Sequence, residues 1–147
     1  MKSSRLSSTR KGKVGKPLPD LQPVFARLRG LLKANASGCN VGRDVPGHFS
    51  LQAPVGPATL RVWSGKLRSP TMPVAWVQVG KAYVSYHLMG VYGHPQLMDA
   101  YSKELKARMQ GKSCFNFKTV DEPLFEELQR LTVASITGMR RTGYITD

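Results

Sequence analysis

Apolar positions along this chain change period several times, and each change predicts an element. From Leu21 the spacing is helical: Leu21, Val24, Phe25, Leu28, Leu31 and Leu32 recur on one side, with Arg27, Arg29 and Lys33 on or beside the other. Asp20 precedes the run as a helix cap, Pro23 is tolerated in a first turn, and Gly38 is a stop. Residues 39–73 are rich in Gly and Pro. Within them "HFSLQA" and "ATLRVW" alternate and are expected to form short strands, parted by the turn-prone "PVGP". "SGKLRSPTMP" reads as a loop. "VAWVQVGKAYVSYHLM" predicts two strands meeting at Gly80-Lys81, apolar enough for the middle of an antiparallel sheet.

Farther on, "QLMDAYSKELKARMQGKS" predicts one or two short helices, with Ser102 capping the second and Gly111 ending it. "SCFNFK" is a short strand. "VDEPLFEELQRLTVASITGMRR" is a strong helix: Asp121 caps it, Glu122 and Pro123 occupy the first turn, and Leu124, Phe125, Leu128, Leu131 and Thr132 form a stripe. Arg140 and Arg141 lie near its C-terminal end, where the helix dipole favours cations. The order helix, four strands, helix, strand, helix predicts an α+β fold. Its antiparallel sheet would have about five strands, with the N-terminal and C-terminal helices packed mainly on one face. The last helix is expected to lay Leu124, Leu128 and Leu131 against the sheet formed by 74–79 and 82–89, with Glu127 turned outward.

Length and charge refine this picture. A chain of 147 residues with 41% hydrophobic content suits one domain with one core. The net charge of +13 is unevenly placed. Residues 1–16 hold six basic residues (Lys2, Arg5, Arg10, Lys11, Lys13 and Lys16) and no acid, leaving sixteen basic and nine acidic residues in 17–147. A Ser/Gly-rich segment of this kind buries too little surface to offset its ordering entropy, so a disordered basic arm over 1–16 is expected ahead of a single domain over 17–147. A contact to nucleic acid or another polyanion through those six residues, and a targeting role, are the alternatives for the arm. No apolar run reaches the roughly 20 residues that cross a bilayer, no membrane partner is indicated, and no apolar stretch marks a secretory signal. With only Cys39 and Cys114, the thiols are expected to be reduced, as in a cytoplasmic protein.

The stretch "GKAYVSYHLMGVYGHPQL", the stretch "ELKARMQGKSCFNFKTVDEPLFEELQRLT" and the closing "GYI" together resemble the YdhG-like family of small bacterial proteins (domain of unknown function 1801), best from about Val74 to Ile145. The resemblance implies the α+β fold just described and brings no catalytic residue with it. It also implies, for some members, a frataxin-like iron-chaperone role that needs carboxylates on an exposed face. The only acidic cluster here is Asp121, Glu122, Glu126 and Glu127, at a helix start where acids are stabilising without any ligand.

Candidate chemistry centres on "AYVSYHLMG". With period two, Val84, Tyr86 and Leu88 share one face, while Tyr83, Ser85, His87 and Met89 share the other. A half-buried strand explains that alternation, and a phenol, a hydroxyl and an imidazole on one side also suit the lining of a small polar pocket. The candidate ligand-binding residues are therefore Tyr83, Ser85 and His87, with Tyr92 and Asn116 at the rim. No metal site is assigned: His87, His94 and Cys114 lack a ligand spacing. No cofactor is expected, and no catalytic residue is assigned. A Cys114–His87 nucleophile pair would need an orienting third residue that the sequence does not indicate. Phe115 and Phe117 share a face and belong to a core unless exposed for base stacking. Lys103, Lys106 and Lys112 suggest a solvated helical face. "GKS" at Gly111 lacks the upstream glycine of a P-loop. These features point to a small cytoplasmic binding module for a small polar ligand or protein partner, with a nucleic-acid accessory protein and an iron chaperone as alternatives.

Overall fold

The first helical run becomes α1 (Gln22–Ala34), which buries Val24, Phe25, Leu28, Leu31 and Leu32. In this computed structural model the described residues are 20–36, 38–63 and 70–146; the 1–16 arm with its six basic residues, and most of the loop after Trp63, lie outside them. Asp20 accepts the Gln22 amide at 3.1 Å, one residue earlier than the helix boundary, and Pro23 sits in the first turn as the sequence requires. The helix stops at Ala34, before the expected Gly38, which instead takes φ 77° in the following turn.

The sheet has six antiparallel strands: β1 (Asn40–Val45), β2 (His48–Pro54), β3 (Thr71–Val79), β4 (Val84–Leu88), β5 (Met109–Gln110) and β6 (Cys114–Phe117). Their spatial order is β1-β2-β3-β4-β6-β5. β1 was not expected, because "NVGRDV" is an exposed edge strand with no buried alternate residues to announce it. Backbone pairing with β2 holds it, and Asp44 accepts a forked pair of bonds from Arg29 of α1 at 2.9 and 3.0 Å. A bulge falls at Gly42, where a side chain would meet Gln52 Oε1 at 2.8 Å.

One expected strand is a helix. "ATLRVW" lies in α2 (Pro57–Trp63), not in the sheet. Pro57 has the φ of a first helical turn, and six alternating residues satisfy either period. Ala58 and Thr59 face inward, whereas Leu60 and Val62 are exposed. The chain end reinforces this corner: the Gly56 and Ala58 amides donate to Tyr144 and Gly143 carbonyls, and Thr146 donates to Pro54. Gly56 is required there, since a Cβ would stand 2.2 Å from the Gly143 oxygen.

β4 ends in α3 (Met89–Gly93), followed by a 3-10 turn (Pro95–Ala100) and α4 (Lys103–Lys106). Met89 therefore leaves the strand to which the alternation assigned it. Ser102 caps α4 by accepting the Leu105 amide at 3.1 Å. The helix does not run on to Gly111: it ends at Lys106, β5 follows, and Gly111 turns the chain into β6 with φ 75°. Lys112 thus sits in a β-turn, away from the α4 face of Lys103 and Lys106.

The final helix, α5 (Glu122–Arg141), is capped by Asp121 and buries Leu124, Phe125, Leu128, Leu131 and Thr132, as the stripe predicts. It lies beside α1, its start joined to the middle of α1 by the Arg27–Glu122 ion pair. Phe125 meets Phe117 of β6 edge-on at 5.1 Å between ring centroids. The Tyr86 hydroxyl of β4 meets Thr132 at 2.7 Å inside the core. Glu127 is not turned outward: its carboxylate accepts the Ser102 amide and hydroxyl at 2.8 and 2.7 Å, tying α5 to α4. The result is an α+β layer with α1 and α5 covering one face of the sheet.

Candidate functional site

Strand register sorts the sheet into two faces. Phe49, Val77, Tyr86, Phe115 and Met109 align across β2, β3, β4, β6 and β5 on the side covered by α1 and α5. The neighbouring row is Arg43, Ser50, Trp76, His87, Cys114 and Gln110, spanning all six strands on the other side. A further row on that side is His48, Gln78, Ser85 and Asn116. These two outer rows carry no carboxylate. Phe115 and Phe117 are buried, so they build the core and present no surface to bases.

Four of the five expected site residues meet on this outer face. Ser85 donates to Asn116 Oδ1 at 3.0 Å, and Asn116 Nδ2 donates to Gln110 Oε1 at 2.6 Å. Tyr83 reaches the same Gln110 oxygen at 3.5 Å. His87 stacks on Trp76 with ring centroids 3.9 Å apart and planes within 10°. Its Nε2 shares a 3.0 Å hydrogen bond with the buried Ser113 hydroxyl. Burial lowers the His87 pKa below the ordinary 6.5, so the stacked ring is neutral at neutral pH.

His87 and Trp76 form the floor of a cavity of about 460 Å³. Its walls include Met89 and Tyr92 on one side and the Gln110–Cys114 turn with Lys112 on the other. Tyr92, the fifth expected residue, stands 60% exposed at its rim. Tyr83, Ser85 and Asn116 do not line this cavity; they brace its back wall through Gln110. Trp76, Gln110, Lys112 and Ser113 are not among the expected site residues, because only the pairing of β3 with β4, of β4 with β6 and of β6 with β5 brings them beside His87. The alternation of "VAWVQV" places Trp76 on a face but does not say which neighbour it meets.

Cys114 and His87 are cross-strand partners, yet the imidazole is engaged by Ser113. Burial raises the Cys114 thiol pKa, offset in part by the Phe115 backbone and the Ser85 hydroxyl, which leaves little thiolate at neutral pH. Neither cysteine is in a disulfide. Three of the four residues of the acidic cluster are occupied structurally, and Glu126 is exposed. Asp121 caps α5, Glu122 pairs with Arg27 and Glu127 holds Ser102. Among the described residues no three His, Cys, Asp or Glu side chains gather where they could hold a metal ion.

A second cavity, of about 380 Å³, adjoins the first and shares Met89 and Tyr92 with it. Met72, Pro73, Met139 and Val62 make it apolar, and His94 enters its wall beside Tyr144, edge-on at 6.2 Å. Gly90 lets α3 approach α5 at this point, for a Cβ there would lie 2.3 Å from the Ser135 hydroxyl. Among the described residues no helix is long and apolar enough to cross a membrane. Comparison with known proteins finds no family model, no curated protein and no solved structure that matches the chain.

Proposed function

We propose that the protein is a small-ligand binding module of the YdhG-like kind, and that its ligand sits on the outer face of the sheet against His87 and Trp76. The observation that carries this reading is the cavity over the Trp76–His87 stack. A neutral imidazole, an indole, a thioether and a phenol line an open cleft with about 460 Å³ of space on the sheet's outer face. Polar groups at its edge (Gln110, Lys112 and Ser113) offer orientation, while the helices leave this face of the sheet free. A high thiol pKa and a hydroxyl-bonded imidazole favour binding over nucleophilic chemistry. The expected cytoplasmic setting, with neither cysteine in a disulfide, suits a metabolite-sized ligand.

Native mass spectrometry of protein purified from its own host tests this. A retained mass is expected in the wild type and is expected to be lost in Tyr92→Ala, whose exposed side chain contributes to the cavity wall and little to the fold. Equal retention in both proteins would place the ligand elsewhere.

A further inference from the structure

The two cavities divide their chemistry unequally. The one over His87 has Lys112, Ser113 and Gln110 at its edge; the one behind α3 is walled by Met72, Met89, Met139 and Pro73. No carboxylate lines either, and the chain carries a net charge of +13, so the pair is suited to an anion. Met89 and Tyr92 belong to both walls, which makes the two volumes neighbours. Val62 and Tyr92 stand at the rims 69% and 60% exposed, apolar surface that no other part of the described fold covers. Methionine side chains adapt their shape, which suits a flexible chain better than a rigid ring. A volume of about 380 Å³ admits such a chain and is too small for a folded partner.

Resting on the reading above that the outer face binds a small ligand, we propose that this ligand is a single-chain amphipathic carboxylate of the fatty-acid class. Its head lies between His87, Ser113 and Lys112, and its alkyl tail passes Met89 and Tyr92 into the methionine-lined cavity. One lysine at the head matches a single negative charge. Ser113 can donate to a carboxylate oxygen by releasing the imidazole bond.

Titration of full-length protein carrying ¹³C-methyl methionine and ¹³C-labelled histidine with sodium decanoate tests this, below the concentration at which decanoate forms micelles. The His87, Met89, Met72 and Met139 resonances are expected to move together with one Kd, while Met98 and Met109, which line neither cavity, stay still. Butyrate should move His87 but not Met72 or Met139. Decan-1-ol should bind about threefold more weakly than decanoate, the scale of one exposed charge contact, and Lys112→Ala should erase that difference. Val62→Asp, at an exposed position, should abolish the Met72 and Met139 shifts with decanoate.

Movement of His87 without Met72 and Met139 would overturn the amphipath while leaving the outer-face site intact. Movement of Met72 and Met139 without His87 would overturn the placement of the head, and with it the reading of that face. Silence of all four would overturn the amphipath, and the Tyr92-dependent retained mass would then judge the site independently.

Discussion

Replacing Thr132 by Val should destabilise the protein, and adding Tyr86→Phe should restore part of the loss. Thr132 has one hydroxyl proton, which it gives to the Leu128 carbonyl at 2.7 Å. The 2.7 Å contact with Tyr86 therefore has the phenol as donor and Thr132 as acceptor. Both side chains are fully buried, and the phenol pKa is raised by that burial. In Thr132→Val the shape is kept but the phenol proton loses its partner, at a cost of about 1–3 kcal/mol. In Tyr86→Phe only the phenol is lost and Thr132 keeps its carbonyl, so the cost should be about 0.5–1.5 kcal/mol. The double variant removes both polar groups together and should be more stable than Thr132→Val alone. Urea melts of the four proteins measure this, against a typical domain stability of about 5–15 kcal/mol. Additive losses would show that α5 does not present Thr132 to β4. The strand that carries His87 on its other face would then be wrongly placed.

Other outcomes follow from the same packing. Leu128→Ala, at a position with no exposure, should cost about 2–5 kcal/mol, whereas exposed Glu126→Ala should shift the urea midpoint little. Glu127→Ala should cost about 1 kcal/mol or more, because it strips two hydrogen bonds from Ser102 at the start of α4. The folded-state pKa of His87 is depressed, so its contribution to stability is present above the unfolded value of about 6.5 and is lost as pH falls through the lower folded value. Stability measured from pH 7 downward should therefore fall less steeply in His87→Gln; His48, lowered by burial and by Arg43, contributes with the same sign and keeps part of the slope. Cys114 should alkylate slowly at neutral pH and accelerate only as the pH passes the ordinary thiol range, since burial raises its pKa.

Helices with long apolar stripes were legible in the sequence because burial on one side imposes a 3.6-residue period, as in Leu124 through Thr132 and in Val24 through Leu32. The alternation in β4 was legible for the same reason, with Tyr86 inside and His87 outside. β1 and β5 were not, because an exposed edge strand and a two-residue strand leave no apolar alternation, and "ATLRVW" was too short to separate the two periods. Ser85, His87 and Asn116 could be singled out as polar residues in strand-like sequence. Their assembly with Trp76, Gln110 and Ser113 depends on register between segments up to about forty residues apart, which pairing alone decides.

The claim that matters most is that the cavity over His87 is the binding site, and Cys114 in its wall is a reporter of it. The alkylation rates of Cys114 and Cys39 can be compared in one sample at mildly alkaline pH, with and without the low-molecular-weight fraction of an extract from the protein's own host. The account predicts slower alkylation of Cys114 when the fraction is present, with Cys39, which lines neither cavity, unchanged. Equal rates for Cys114 with and without the fraction, while native mass spectrometry shows the ligand bound, would contradict it.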